Sequence, residues 1–170
     1  MNRLRTLVQF IDDFTERSGR FLAWLALAMA MVTALIVVLR YGFNTGSILA
    51  QEAVVYMHGC LFMLGAAYAL KRDAHVRVDI FYRNFTPRAQ AWINSLGGIV
   101  FLMPLCVFIL VSSWDYVAES WAIRETSPEP GGIPAVFLLK SLMPLLAINL
   151  FLQGLAETVR STLQLVDEAP

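Results

Sequence analysis

Four long apolar stretches decide what this chain can fold into. They cover residues 21–39, 53–70, 89–114 and 130–156, and they contain a single charged residue, Lys140. A helix of roughly 20 apolar residues crosses the hydrocarbon core of a bilayer, which is about 30 Å thick, so each stretch is long enough to cross once. The sequence therefore predicts an all-α integral membrane protein with four transmembrane helices. The predicted spans cover about residues 21–40, 49–70, 89–114 and 134–156.

The amino-acid composition and the absence of known motifs argue against several classes of function. Charged residues make up 15% of the chain, against about 25% in typical soluble domains, and the formal net charge of +0 gives no electrostatic reason to expect nucleic acid. Cys60 and Cys106 lie in the middle of predicted spans, and the sequence has no CxxC pair, which argues against a disulfide framework, a zinc site or a thiol-redox centre. The sequence also lacks a Walker loop and a dinucleotide fingerprint. We expect no catalytic residues, no metal and no cofactor in this chain.

The distribution of lysine and arginine predicts the orientation. Residues 1–20, 71–88 and 157–170 contain ten of them together, whereas the loops 40–52 and 115–129 contain one each. Loops rich in Lys and Arg stay on the cytoplasmic side of the membrane. Both termini and the middle loop are therefore expected in the cytoplasm, with residues 157–170 as a cytoplasmic tail.

The first twenty residues have an amphipathic pattern. Leu4, Leu7 and Ile11 recur at helical spacing, and the charged residues fall on the other side. We expect residues 1–20 to form a helix in the cytoplasmic interface, from which the chain turns into the membrane at Arg20. A simple extension of the first span is the alternative.

Prolines and hydroxyl residues mark the other helix boundaries. Ser47 suits the N-cap of the second helix, and Thr86 followed by Pro87 suits the N-cap and first position of the third. Pro134 suits the first position of the fourth helix. Pro104 is expected to kink the third span, because it removes one backbone hydrogen bond.

Lys140 needs an explanation because a charge within a span costs about 2.5 to 3.5 kcal/mol on insertion scales. Three interpretations remain open from the residues alone: the side chain snorkels to the outer interface, it pairs with Glu52 or with an acid of a partner protein, or it belongs to a substrate or ion site. Pro144, four residues later, removes the donor that would bond the Lys140 carbonyl.

Three uncharged or weakly basic polar residues also lie in the predicted spans. A pair of haem ligands would need a second histidine at the depth of His58, but His75 lies in the middle loop. We expect His58 to hydrogen-bond a neighbouring helix or a partner subunit. Asn149 and Gln153 share one helix face at i, i+4 and are expected to do the same.

The middle loop carries the most specific pattern. Residues 65–82 read GAAYALKRDAHVRVDIFY, with a basic turn that leads to His-x-x-Val-Asp at His75 to Asp79. An acid, Glu52, lies near the start of the second helix, and residues 129–134 read EPGGIP. In these motifs the chain resembles the small membrane subunit of tripartite ATP-independent periplasmic (TRAP) transporters.

That resemblance implies a subunit that is not an enzyme and holds no substrate. It would join a large membrane subunit that carries sodium and substrate, while a periplasmic binding protein delivers the substrate, usually an organic acid. The location would be the bacterial inner membrane. Two other classes stay open: a haem- or quinone-linked membrane anchor of a respiratory enzyme, and a small self-assembling exporter.

The resemblance also suggests roles for named residues. The basic loop would contact anionic lipid headgroups, His75 would cap the second helix, and Asp79 would pair with a nearby arginine; Glu52 and Lys140 would fix packing near the outer face. The candidates for structural or inter-subunit contacts are Glu52, Lys140, His58, Asn149 and Gln153. The loop signature consists of Lys71, Arg72, His75, Arg77 and Asp79. The candidates for docking the binding protein are Asp115, Glu119, Glu125 and Glu129.

Overall fold

The computed structural model describes residues 2–74, 82 and 84–167, and all regular secondary structure in these residues is helical. Four helical stretches are long and apolar enough to cross a membrane. This confirms the prediction of an all-α protein with four spans. The elements are α1 Asn2–Gly42, α2 Ile48–Lys71, α3 Pro87–Gly97, a π-helical segment Gly98–Leu102, α4 Met103–Ala122, α5 Val136–Lys140 and α6 Leu142–Asp167.

Helix α1 is longer than a membrane crossing requires. Its 41 residues extend about 61 Å at 1.5 Å per residue, twice the thickness of the hydrocarbon core. Residues 2–20 are helical, as predicted, but the expected turn at Arg20 is absent. Two contacts explain the uninterrupted helix: Glu16 pairs with Arg20 one turn later at 3.0 Å, and Val8 and Ile11 are buried against α6.

Two of the predicted helix starts are confirmed. The Ser47 hydroxyl accepts a hydrogen bond from the Ala50 N–H at 3.2 Å, and the Thr86 hydroxyl accepts one from the Ala89 N–H at 3.3 Å. These caps satisfy amides that have no partner inside the first turn of a helix.

The predicted start of the fourth helix at Pro134 is wrong. Helix α5 begins at Val136, because the preceding backbone is used elsewhere: the Ile133 N–H donates to the Glu52 carboxylate, and the Val136 N–H donates to the Glu125 carbonyl. The loop before α5 is therefore fixed in a non-helical conformation by contacts with other elements.

Each of the two intramembrane prolines follows an interruption of its helix. The π-helical segment ends two residues before Pro104, and the N–H of Met103, which follows the segment, bonds the Gly98 carbonyl, five residues back. A π turn commonly accommodates a local break in the regular hydrogen-bond ladder. In the fourth span, the helix is interrupted at Ser141, between α5 and α6, shortly before Pro144.

Helix α6 is the central element of the bundle. It packs against α1, α2, α3 and α4, and its small residues Ala147 and Ala156 are almost completely buried. It continues to Asp167, so most of the predicted tail over 157–170 is part of this helix. Large apolar side chains cover much of the outer surface of the bundle.

Candidate functional site

Polar side chains gather at two places in the bundle, one at each end. The terminal cluster lies where the amino-terminal half of α1 meets the carboxyl end of α2 and residues 153–160 of α6. Its members are Asp12, Thr15, Glu16, Lys71, Gln153, Glu157 and Arg160. The loop cluster lies at the opposite end, around the segment between α4 and α5. Its members are Glu52, Ser120, Glu125, Ser127 and Lys140.

Gln153 is the centre of the terminal cluster, and its side chain is 0% exposed. Its amide oxygen accepts a hydrogen bond from the Thr15 hydroxyl at 2.8 Å. Its amide nitrogen donates to Asp12 and to Glu157, both at 3.1 Å. Since a buried amide must be hydrogen-bonded to be tolerated, these contacts fix α1 against α6.

Arg160 completes the same cluster. Its guanidinium donates to Asp12 and to Glu157, each at 2.5 Å. The two carboxylates belong to different helices and would repel each other without a shared cation. The guanidinium, with its fixed fork of donors, bridges both.

The third part of the terminal cluster connects α2 to α1. The Lys71 ammonium donates to the Asp12 carbonyl at 2.8 Å and to the Glu16 carboxylate at 3.1 Å. Arg72 and Arg20 also donate to Glu16. One carboxylate on α1 is therefore shared by three cations, two of which come from the end of α2.

The signature loop is only partly described. Lys71 and Arg72, predicted to contact lipid headgroups, bind Glu16 on α1. His75, Arg77 and Asp79 lie outside the described residues, so their predicted roles stay predictions.

Glu52 is the organising residue of the loop cluster. Its carboxylate accepts a hydrogen bond from the Ile133 N–H at 2.5 Å and another from the Ser127 hydroxyl. A Cβ atom at Gly132 would lie 2.6 Å from a Glu52 carboxylate oxygen, so a larger residue there would displace the Glu52 side chain. Glu52 thus connects α2 to the segment between α4 and α5.

Lys140 forms an ion pair with Glu125 and not with Glu52. The distance from its ammonium to the Glu125 carboxylate is 2.5 Å, and the ammonium lies 4.0 Å from the centre of the Tyr116 ring. Its side chain is 17% exposed. The Lys140 hydrogen bond, followed by that of Ser120 at 2.6 Å, holds the pKa of the Glu125 carboxyl below its usual range.

The four acids predicted to dock a binding protein differ in their surroundings. Asp115, Glu119 and Glu129 are exposed, whereas Glu125 is half-buried and engaged by Lys140. Docking at the exposed acids stays a prediction.

The three polar residues that were predicted to lie within the spans also have different surroundings. Gln153 is buried in the terminal cluster, and Asn149 is half-buried one turn before it. His58 is exposed on the outside of α2, where its ring stacks on Phe62 with 6.2 Å between centroids.

Sequence reasoning missed most of the terminal cluster. The missed members are Asp12, Thr15, Glu16, Glu157 and Arg160. A signal was present, because Asp12 and Glu16 are spaced i, i+4 and Glu157 and Arg160 are spaced i, i+3, but nothing local indicates which helix they face. Within the described residues, no three His, Cys, Asp or Glu side chains come together as metal ligands would.

Known proteins resemble this chain in sequence. The family model described as "Tripartite ATP-independent periplasmic transporters, DctQ component" matches residues 10–164. The C4-dicarboxylate TRAP transporter small permease protein DctQ of Vibrio cholerae is 29% identical over 126 residues, which are 71% of this chain and 54% of the relative. A putative TRAP transporter small permease protein of Haemophilus influenzae is 33% identical over 111 residues, 65% of this chain and 66% of the relative.

The aligned part thus covers about half of the first relative and 66% of the second. No solved structure matches the chain significantly. The family match nevertheless covers nearly the whole chain and agrees with the four apolar helices. The chain therefore belongs to the DctQ family, the small permease components of tripartite ATP-independent periplasmic transporters, and is not an enzyme.

Proposed function

We propose that this chain is the scaffold subunit of a sodium-driven TRAP transporter in a bacterial inner membrane. It pairs with a large membrane subunit, which binds sodium and the substrate, and a periplasmic protein delivers an organic acid to the complex. The observation that carries the proposal is that the polar groups of both clusters are used within the chain. Side chains such as Gln153, Glu52 and Lys140 hold helices and a loop together, which suits a scaffold better than a transport pathway.

The distribution of basic residues supports a cytoplasmic location for both termini. Ten lysines and arginines lie in segments at the terminal end of the bundle or in the middle loop, against one in each loop at the other end. The loop cluster would then face the periplasm, on the side from which a binding protein approaches. Neither a respiratory anchor nor a self-assembling exporter is favoured by a specific contact in the described residues.

Reconstitution tests the division of labour. The chain is purified alone and together with the large membrane subunit, and each preparation is placed in vesicles with an inward sodium gradient. The first substrate to try is a labelled C4-dicarboxylate, because the Vibrio cholerae relative is named for it. We expect uptake only when both membrane subunits and the binding protein are present. Uptake by this chain alone would contradict the proposal.

A further inference from the structure

One exposed face of α2 contains a polar residue, His58, near the middle of the membrane span. Gln51, Val55, His58 and Phe62 recur at intervals of three or four residues and are all exposed. We name these four residues the α2 stripe. Residues at this spacing lie along one side of a helix, so the stripe is a continuous outward surface.

His58 lies at a depth where lipid offers no hydrogen bond. At 1.5 Å per residue it is about 15 Å from Ile48 and about 20 Å from Lys71, the two ends of α2. Its ring stacks on Phe62, and no described residue forms a hydrogen bond with the imidazole. A neutral imidazole has one donor and one acceptor, and both are unfavourable in hydrocarbon unless another polar group meets them.

The outer surface of the third span provides a contrast. Along the π segment and α4, the outward residues Phe101, Phe108 and Val111 are apolar, as a surface against lipid tails requires. The next polar side chain, Ser112, is exposed but donates to the Ile109 carbonyl in its own helix. On that face the polar group is satisfied locally, whereas His58 needs a partner from outside the chain.

An apolar groove lies beside the α2 stripe. It lies between α1 and α2, has a volume of about 680 Å³ and is lined by Phe62 of the stripe. Small residues form part of its wall, among them Gly19, Ala23, Gly65 and Ala66. Small residues allow two helix backbones to approach closely in a membrane. The apolar groove and the hydrogen-bonding imidazole are therefore adjacent parts of one surface.

We propose that the α2 stripe and this groove receive one transmembrane helix of the large permease subunit, and that this helix presents a hydrogen-bonding side chain to His58. The inference rests on the proposed function, which supplies the partner. The structure adds the face of this subunit that is used and the chemistry required of the occupant: an apolar helix with one polar group at the depth of His58.

Photo-crosslinking from single positions tests the face. A photoreactive residue replaces Val55 or Phe62 in the stripe, and Phe101 or Phe108 serves as the matched control because these side chains are 75% and 67% exposed, close to 70% for Phe62. The chain is co-expressed with the large subunit and irradiated in native membranes. We expect crosslinks to the large subunit from the stripe and only lipid adducts from the controls. Crosslinks from the controls instead, lipid adducts alone from the stripe, or crosslinks between two copies of this chain would each overturn the inference.

Variants of His58 test the hydrogen bond. His58→Phe keeps a flat ring but removes the polar atoms, and we expect the large subunit to be recovered with the tagged chain about threefold to tenfold less, the size of effect that one interhelical hydrogen bond supports. His58→Gln retains a donor and an acceptor and should restore most of the recovery. Unchanged recovery with His58→Phe would refute the role of the imidazole.

The two proposals fail in different ways. If the unmodified chain recovers no large subunit at all, the proposed function is wrong and the inference fails with it. If the unmodified chain recovers the large subunit but the stripe forms no crosslink to it, only the inference is wrong.

Discussion

The terminal cluster and the loop cluster both connect distant parts of the chain, but they connect different kinds of structure. In the terminal cluster, side chains of three helices meet one another around Gln153, which is 0% exposed. In the loop cluster, Glu52 binds a backbone N–H and a hydroxyl of a loop, while Lys140 and Glu125 remain partly exposed, at 17% and 31%. The first cluster therefore fixes helices against each other, and the second fixes a loop to the helices.

The helices also differ between the two ends of the bundle. At the terminal end, α1 and α6 are unbroken over 41 and 26 residues, and their side chains do the joining. At the loop end, α5 has only five residues and the helix is interrupted at Ser141. Where the backbone leaves the helix, its N–H groups need other acceptors, and Glu52 supplies one of them. The loop cluster therefore hydrogen-bonds backbone groups that lie outside helices, whereas the terminal cluster joins helices whose backbone stays regular.

The largest effect is expected when the centre of the terminal cluster is removed. Gln153→Leu keeps a similar volume but leaves the Thr15 hydroxyl without its acceptor and takes one donor from each of Asp12 and Glu157. We expect the free energy of unfolding to fall by about 3 kcal/mol, since each buried polar group that loses its partner costs about 1 to 3 kcal/mol. Reversible denaturation in detergent, followed by tryptophan fluorescence, measures the change.

Asn149→Leu is the matched control for this variant. Asn149 lies one turn before Gln153 on α6 and is half-buried, so its replacement should cost less than about 1 kcal/mol. Equal losses in the two variants would mean that the terminal cluster does not hold the bundle together.

A smaller and more local effect is expected in the loop cluster. Glu52→Leu removes the acceptor for the Ile133 N–H and the Ser127 hydroxyl, so the segment between α4 and α5 should open more often while the helices stay in place. We expect amide exchange at Ile133 to become about tenfold to thirtyfold faster, as the loss of one or two hydrogen bonds implies. Hydrogen exchange with mass spectrometry measures it.

Glu119→Leu serves as the control for Glu52→Leu, because it removes an exposed acid from α4. Exchange at Ile133 should stay unchanged in that variant. Faster exchange across the whole of α6 in Glu52→Leu would contradict the comparison, since the loop cluster would then hold helices as well.

Local features were predictable from the sequence. Which side chains pack against another helix was not. The apolar stretches predict the four spans, and Ser47 and Thr86 predict two helix starts, because a cap depends only on residues a few positions away. The face shared by Asn149 and Gln153 was also visible from their spacing. Which of the two becomes buried depends on where α1 packs, and the sequence of α6 carries no information about that.

Two wrong expectations have the same physical origin. The turn at Arg20 was inferred from amphipathicity alone, but α6 supplies the apolar contact that the interface was expected to give, and α1 continues. The start at Pro134 was inferred from its suitability for a first helical turn, but Glu52 and the Glu125 carbonyl hold the backbone just before Val136 outside the helix. In both cases a contact distant in sequence outweighs a local preference.

The smallest effect, and the sharpest test of the loop cluster, concerns the partner of Lys140. Lys140→Met and Glu125→Gln remove the two sides of one ion pair, so the drop in Tm of the double variant should be smaller than the sum of the two single drops. Lys140→Met combined with Glu52→Gln should be additive, because the Glu52 carboxylate binds Ile133 and Ser127. Thermal unfolding of all five variants in the same detergent supplies both cycles. If the pair with Glu52 were coupled and the pair with Glu125 additive, Lys140 would join α5 to α2, and the loop cluster would fix helices in the same way as the terminal cluster.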